Sequence, residues 1–184
     1  MKTIFLTAGH HISDQGASGD NFKENTLTLE FINLVTTYAK ELNPYINIWN
    51  DDFRDNLSTV ISQVKSKGTG DDLWIEFHFN AFNTKATGYE AIIADNASDR
   101  SKKVANDLSF IPDIIGITNR GVKTESQSAR GKLGMFRTVV PSVLLELGFI
   151  DNDSDMAKWK NKRVEVAKEL AKYLNNLYTG GWKE

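Results

Sequence analysis

The chain predicts an α/β fold: one domain with a mixed, mostly parallel twisted sheet of about six strands and helices on both faces. Three observations carry this. Apolar runs of strand length alternate with amphipathic helical stretches along the chain. Its 184 residues are the length of one domain and can bury a sizeable single core. No composition break, linker, internal repeat or low-complexity segment divides it, so residues 1–184 are expected to form one catalytic or binding unit without a separate targeting module.

The elements follow in order. Residues 2–8 read as a first strand, and a Gly-, Ser- and Asp-rich loop then runs from His11 to Lys23 with Gly16 and Gly19 as breakers. Leu27, Phe31, Leu34, Val35, Tyr38 and Leu42 recur at spacings of three and four, which predicts a helix over 24–42 stopped by Pro44. Tyr45 to Asn50 reads as a second strand, and residues 56–67 as a helix closed by Gly68. Strands are expected over 72–79 and 88–94, then a helix over 98–109. Pro112 to Thr138 is polar, contains four glycines and gives no clear element. Ser142 to Phe149 reads as a buried strand. Two helical segments are expected to finish the chain, the last carrying Val164, Ala167, Ala171, Leu174 and Leu177 at helical spacing.

Composition excludes several classes. A formal net charge of −2 leaves no basic footprint for a general nucleic-acid binder. With no cysteine, a disulfide framework and thiolate chemistry are both out. One lysine and about five apolar residues open the chain, short of the ~7–15 of a signal-peptide core. No run approaches the ~20 apolar residues that span a bilayer. The expectation is a protein made in the cytoplasm, without stable membrane association and monomeric.

Three histidines, His10, His11 and His78, sit where strand-like runs end or are interrupted. Without cysteine, a zinc site must use histidine and carboxylate. On the strand at 72–79, Trp74, Glu76, His78 and Asn80 share one face, while Ile75, Phe77 and Phe79 share the other. Glu76 and His78 on an apolar strand form either a structural pair or an orienting contact for a ligating imidazole. Glu146, amid Val143 to Ile150, is costly to bury unless it is paired or its pKa rises. A salt bridge to Arg120, Lys123 or Arg137 and a catalytic role stand as equal readings. Glu24, in the first turn of a helix, reads from position alone as a dipole or capping residue.

Several stretches taken in order resemble the zinc-dependent N-acetylmuramoyl-L-alanine amidases of the type 3 class. These are Ala8-Gly9-His10-His11 with Asp14, Gly16-Ala17, Gly19 and Glu24; Phe77-His78-Phe79-Asn80-Ala81 followed by Gly88-Tyr89-Glu90; Arg120-Gly121-Val122-Lys123; and Pro141 to Asn152, around Glu146-Leu147-Gly148-Phe149. The matches cover most of the chain. The resemblance implies that His10, Glu24 and His78 bind one zinc per chain. It implies that Glu146 takes a proton from the attacking water and gives one to the leaving amine, and that Asn80 and Arg120 contact substrate. The substrate it implies is peptidoglycan, cut between the lactyl group of N-acetylmuramic acid and L-alanine of the stem peptide. His11 stands where the family usually has glycine and is expected to line the cleft rather than bind metal. Thr124 to Lys132, with Glu125 and Arg130, is either a substrate-facing loop or a solvated connection. Two other readings remain: a related zinc peptidase cutting within the stem peptide, and a metal-free wall-binding descendant of the fold. The expected setting is the cell wall, reached after release, with a phage or prophage lysis enzyme favoured over an exported bacterial one.

Overall fold

A computed structural model describes residues 1–19 and 21–182; Asp20, in the predicted loop, and the last two residues lie outside it. Six strands form one sheet in the order β4-β1-β5-β8-β6-β7. They are β1 (Ile4–Ala8), β4 (Ile48–Asn50), β5 (Leu73–Asn80), β6 (Tyr89–Ile93), β7 (Asn119–Thr124) and β8 (Ser142–Phe149), and a separate ribbon pairs β2 (Ser18–Gly19) with β3 (Phe22–Lys23). All pairings in the large sheet are parallel except β6 with β8. The sheet is therefore mixed and mostly parallel, as expected.

One face is covered by α1 (Glu24–Leu42), α3 (Asp99–Asp107), α4 (Phe110–Ile115) and α5 (Asp153–Gly180), which close a core around Leu6, Ile75, Phe77, Leu145 and Ala91. Phe31 and Phe79 pack their rings against Trp159 of α5. The other face carries α2 (Leu57–Lys67) and the segment around Met135 and Val140, over Phe5, Trp74, Leu144 and Ile92. That second apolar cluster covers only half of its face. Side chains alternate along strands, so the same parity that points Phe5, Trp74, Leu144 and Ile92 at α2 also points Thr7, Glu76, His78, Glu146 and Glu90 out beyond it. The uncovered half holds the polar row.

Three expectations change. The predicted strand at 45–50 shrinks to Ile48–Asn50, because Asn43 and Ile46 are tied into the turn after α1. The two predicted C-terminal helices are one, α5, whose 28 residues start at an Asn152 side chain that accepts from Asp155 N. Its buried residues Met156, Trp159, Val166, Leu170 and Leu174 stay in helical step, and no glycine or proline interrupts them. Finally, the unassigned stretch holds the end of α4, closed by Gly116 at φ 79°, and β7. β7 is an edge strand of sequence Asn-Arg-Gly-Val-Lys-Thr, half-exposed, so it shows no apolar alternation.

Candidate functional site

The C-terminal ends of β1 and β5 lie side by side, Ala8 opposite Phe77, and deliver His10 and His78 to the same place. Crevices at such strand ends are where α/β sheets bind ligands. The loop after β1 turns back through Gly16 and brings in Glu24 at the first position of α1. Glu24 is not a cap: its Oε2 accepts from Ala17 N at 2.8 Å and its Oε1 from Phe79 N at 3.0 Å, and it faces both imidazoles. His10 Nε2 lies 3.1 Å from Glu24 Oε2, and His78 Nδ1 lies 2.8 Å from Glu24 Oε1. His10, Glu24 and His78 thus offer three ligand atoms within 4.8 Å of one another, a group that can hold a metal ion.

Each imidazole has its outer nitrogen set by a second carboxylate. Asp14 Oδ2 is 2.9 Å from His10 Nδ1, and Glu76 Oε1 is 3.1 Å from His78 Nε2. Glu76 is itself held by Thr7 Oγ1, which accepts from Trp74 Nε1 at 2.8 Å. The inner nitrogens donate to Glu24; with an ion bound, the N–H donated outward would leave the inner lone pair for the metal, the tautomer a ligating histidine needs. The backbone is shaped around the cluster. A Cβ on Gly16 (φ +67°) would fall 2.4 Å from the His10 ring and 2.6 Å from Glu24 Oε2, and one on Gly9 would fall 2.5 Å from the His78 ring. His10 itself holds φ 70°, a left-handed conformation rare for such a residue. The donor set, the outer partners and the tight surround all fit a three-ligand metal centre.

The charges respond to this crowding. Burial opposes ionisation of Glu24, yet its bonds to the two histidines hold its carboxyl well below the usual carboxylate range. Burial likewise opposes protonation of His78, but Glu24 and Glu76 push it up to about 9. A metal ion entering between these groups competes with that proton.

Glu146 stands opposite His78 in the β5–β8 pairing and is fully buried. Burial raises its pKa, against the attraction of Arg130 and His78. Arg130 Nε donates to Glu146 Oε1 at 2.6 Å, and Arg130 Nη2 lies 3.9 Å from Glu24. Among the described residues, Glu146 Oε2 has no hydrogen-bond partner. The salt-bridge candidates read from the sequence lie elsewhere. Arg120 and Lys123 both pair with Glu90, and Arg137 pairs with Glu125.

His11 lines the cleft and stays outside the three-residue group. The cleft there, about 420 Å³, is bounded by His10, Asp51, Asp55, Leu57, Glu76 and Arg130. A second cavity of about 350 Å³ contains Asn80, Arg120, Glu90 and Lys123. A larger one, about 690 Å³, lies between α1 and α5 and includes none of the histidines; cavity size is a poorer guide here than the convergence of donors. Sequence reasoning missed how deep Arg130 reaches. Its signal was a single arginine in a polar, glycine-bearing stretch, which says nothing of direction.

A sheet end with two histidines and a carboxylate that can hold a metal ion, beside a buried glutamate, has the groups that a hydrolase needs. Residues 4–176 match the family described as N-acetylmuramoyl-L-alanine amidase. The uncharacterized protein YqiI of Bacillus subtilis is 31% identical over 161 residues, covering 85% of this chain and 74% of that protein. The N-acetylmuramoyl-L-alanine amidase LytC of the same organism is 28% identical over 86% of this chain, which spans 32% of LytC. The catalytic domain of the amidase CwlV from Bacillus (Paenibacillus) polymyxa has the same fold, with TM-score 0.79 at 24% identity, covering 99% of this chain and 100% of that one. The chain belongs to the N-acetylmuramoyl-L-alanine amidase family, and by that membership it is a peptidoglycan amidase.

Proposed function

We propose that His10, Glu24 and His78 hold one zinc ion, and that Glu146 is the general base and acid for hydrolysis of the amide between the lactyl group of N-acetylmuramic acid and L-alanine. When bound, zinc supplies a Lewis acid for the amide carbonyl and makes water easier to deprotonate. The observation that carries the reading is Glu146: Oε1 is anchored by Arg130, while Oε2 is buried, unpartnered and beside the ligand cluster. Oε2 takes a proton from the water whose oxygen attacks the lactyl carbonyl carbon. The same carboxyl then returns that proton to the alanine nitrogen as the C–N bond breaks. A pKa raised by burial suits both halves of that shuttle. Arg130 keeps the carboxylate turned, and Asp14 and Glu76 keep the imidazoles turned. Asn80 and Arg120 line the neighbouring cavity and contact the substrate.

The proposed setting is a single catalytic domain over residues 1–184, monomeric and acting at the cell wall without stable membrane association. No helix among the described residues is long and apolar enough to cross a membrane. Digestion of purified peptidoglycan followed by mass spectrometry tests the reaction. The expected result is new L-alanine N-termini with intact glycan strands, lost with a chelator and restored by zinc. New termini at another stem residue would instead favour a zinc peptidase.

A further inference from the structure

Glu146 is paired with His78 on one side and with Glu90 on the other, so His78, Glu146 and Glu90 form one row across β5, β8 and β6. Glu90 is 4% exposed and its Oε2 accepts from Arg120 Nε at 2.9 Å and Lys123 Nζ at 2.6 Å; Asn80 Nδ2 reaches Oε1 at 3.4 Å. One carboxylate therefore anchors two cations, which leaves a net charge of +1 at this cluster. The Arg120 guanidinium also lies 5.2 Å over the Phe149 ring. Both cations stay partly open, with side chains 36% and 28% exposed, and both line the 350 Å³ cavity, whose rim carries Phe82, itself 78% exposed. The opposite arm of the cleft, towards α2, has Asp14, Asp51, Asp55 and Glu76, together with Arg130 and the histidines. The site is thus flanked by a cationic pocket on one side and a cleft of mixed charge on the other.

We infer that Arg120 and Lys123, braced by Glu90, recognise the carboxylate of the second stem-peptide residue, so that the stem peptide crosses β6 and β7 while the glycan lies towards α2. This rests on the amidase reading. Adjacent strands are ~4.8 Å apart, which puts Glu90 about 5 Å along the row from Glu146 and about 10 Å from His78. An extended chain advances ~3.3–3.6 Å per residue, so a group one residue past L-alanine reaches the two cations when the scissile amide sits between His78 and Glu146. That residue in peptidoglycan stems is a glutamate linked through its side chain, with its own carboxyl either free or amidated. The lactyl–glycan side of the cut is uncharged and has no need of the two cations.

The test uses three synthetic N-acetylmuramoyl tripeptides with amidated C-termini: glutamate free with lysine third, glutamate amidated with lysine third, and glutamate amidated with diaminopimelate third. The expected kcat/KM is about fivefold higher for the free glutamate than for its amide, the scale of a partly exposed ion pair, with the difference in KM. Lys123→Gln brings that ratio close to one, and Lys123→Arg restores it. A merely structural role for Lys123 would lower both rates together and keep the ratio. Equal rates on the first two substrates, an unchanged ratio in Lys123→Gln, or a preference that follows only diaminopimelate would overturn the assignment and leave the amidase reading standing. No cleavage of any of the three would overturn both.

Discussion

Replacing Glu146 by Gln removes the proposed base and little else. The amide keeps the shape of the side chain, and its oxygen still accepts from Arg130 Nε, now 2.6 Å from Oε1. The lost ion pair has a cation whose side chain is 29% exposed, so screening limits its worth to on the order of 1 kcal/mol. Neutralising a carboxylate that is 0% exposed offsets part of that loss. Folding stability should move by no more than about 1 kcal/mol, or roughly 2–4 °C in Tm for a domain of this size. General base catalysis contributes about 10²–10⁴ in rate, so kcat should fall by at least a hundredfold. Metal analysis, thermal melting and turnover of a muramoyl peptide on one preparation separate these quantities. Glu146→Gln should retain about one zinc per chain, whereas His78→Ala should lose it. A Glu146→Gln protein with full zinc and more than roughly a tenth of the wild-type kcat would refute the role given to Glu146.

Two further substitutions probe the charges around the site. Arg130→Gln leaves Glu146 buried without the guanidinium that lowers its pKa, so the acid limb of the kcat/KM profile should move to higher pH. Stability should drop by about 1–3 kcal/mol in urea unfolding; an unmoved limb would show that the pair does not govern the base. Asp51 is pushed from 3.8 up to about 7, chiefly by burial, although Ala8 N donates to it. Since its folded pKa lies above its unfolded one, wild-type stability is lost as pH rises from about 4 through 7. Asp51→Asn should therefore gain about 2 kcal/mol relative to wild type between pH 5 and pH 8. A gain that does not change with pH would refute that assignment.

Much of this was legible from residue patterns, and the exceptions have physical causes. α1 and β8 fall at Glu24–Leu42 and Ser142–Phe149, where they were expected, because each has a long apolar period. α4 and β7 were hidden, one by its six-residue length and the other by the polar, half-exposed character of an edge strand. In the site, the histidines and Glu146 stood out as polar residues in apolar surroundings. Glu24 did not; the loop after β1 and the β1–β5 pairing together make it the neighbour of His78, 54 residues away, and local periodicity carries no such information. Arg130 and Glu90 were hidden for a related reason. Their partners, Glu146 at a separation of 16 and Arg120 and Lys123 at 30 and 33, are chosen by sheet order and loop path rather than by spacing.

The sheet order has a consequence for how this site comes into being. β5 and β6 follow one another in the chain, yet β8 lies between them, entering a slot that the first hundred residues must leave open. The strand that carries Glu146 is thus the last of the eight to leave the ribosome, and it forms both the centre of the sheet and the bridge between the two cavities. Pairings this distant in sequence close late in folding. An N-terminal fragment ending after β6 can contain His10, Glu24 and His78 but not the residue opposite them. Assembly of the centre is in this sense all-or-none: a chain interrupted before β8 carries the His10, Glu24 and His78 group without Glu146 opposite it.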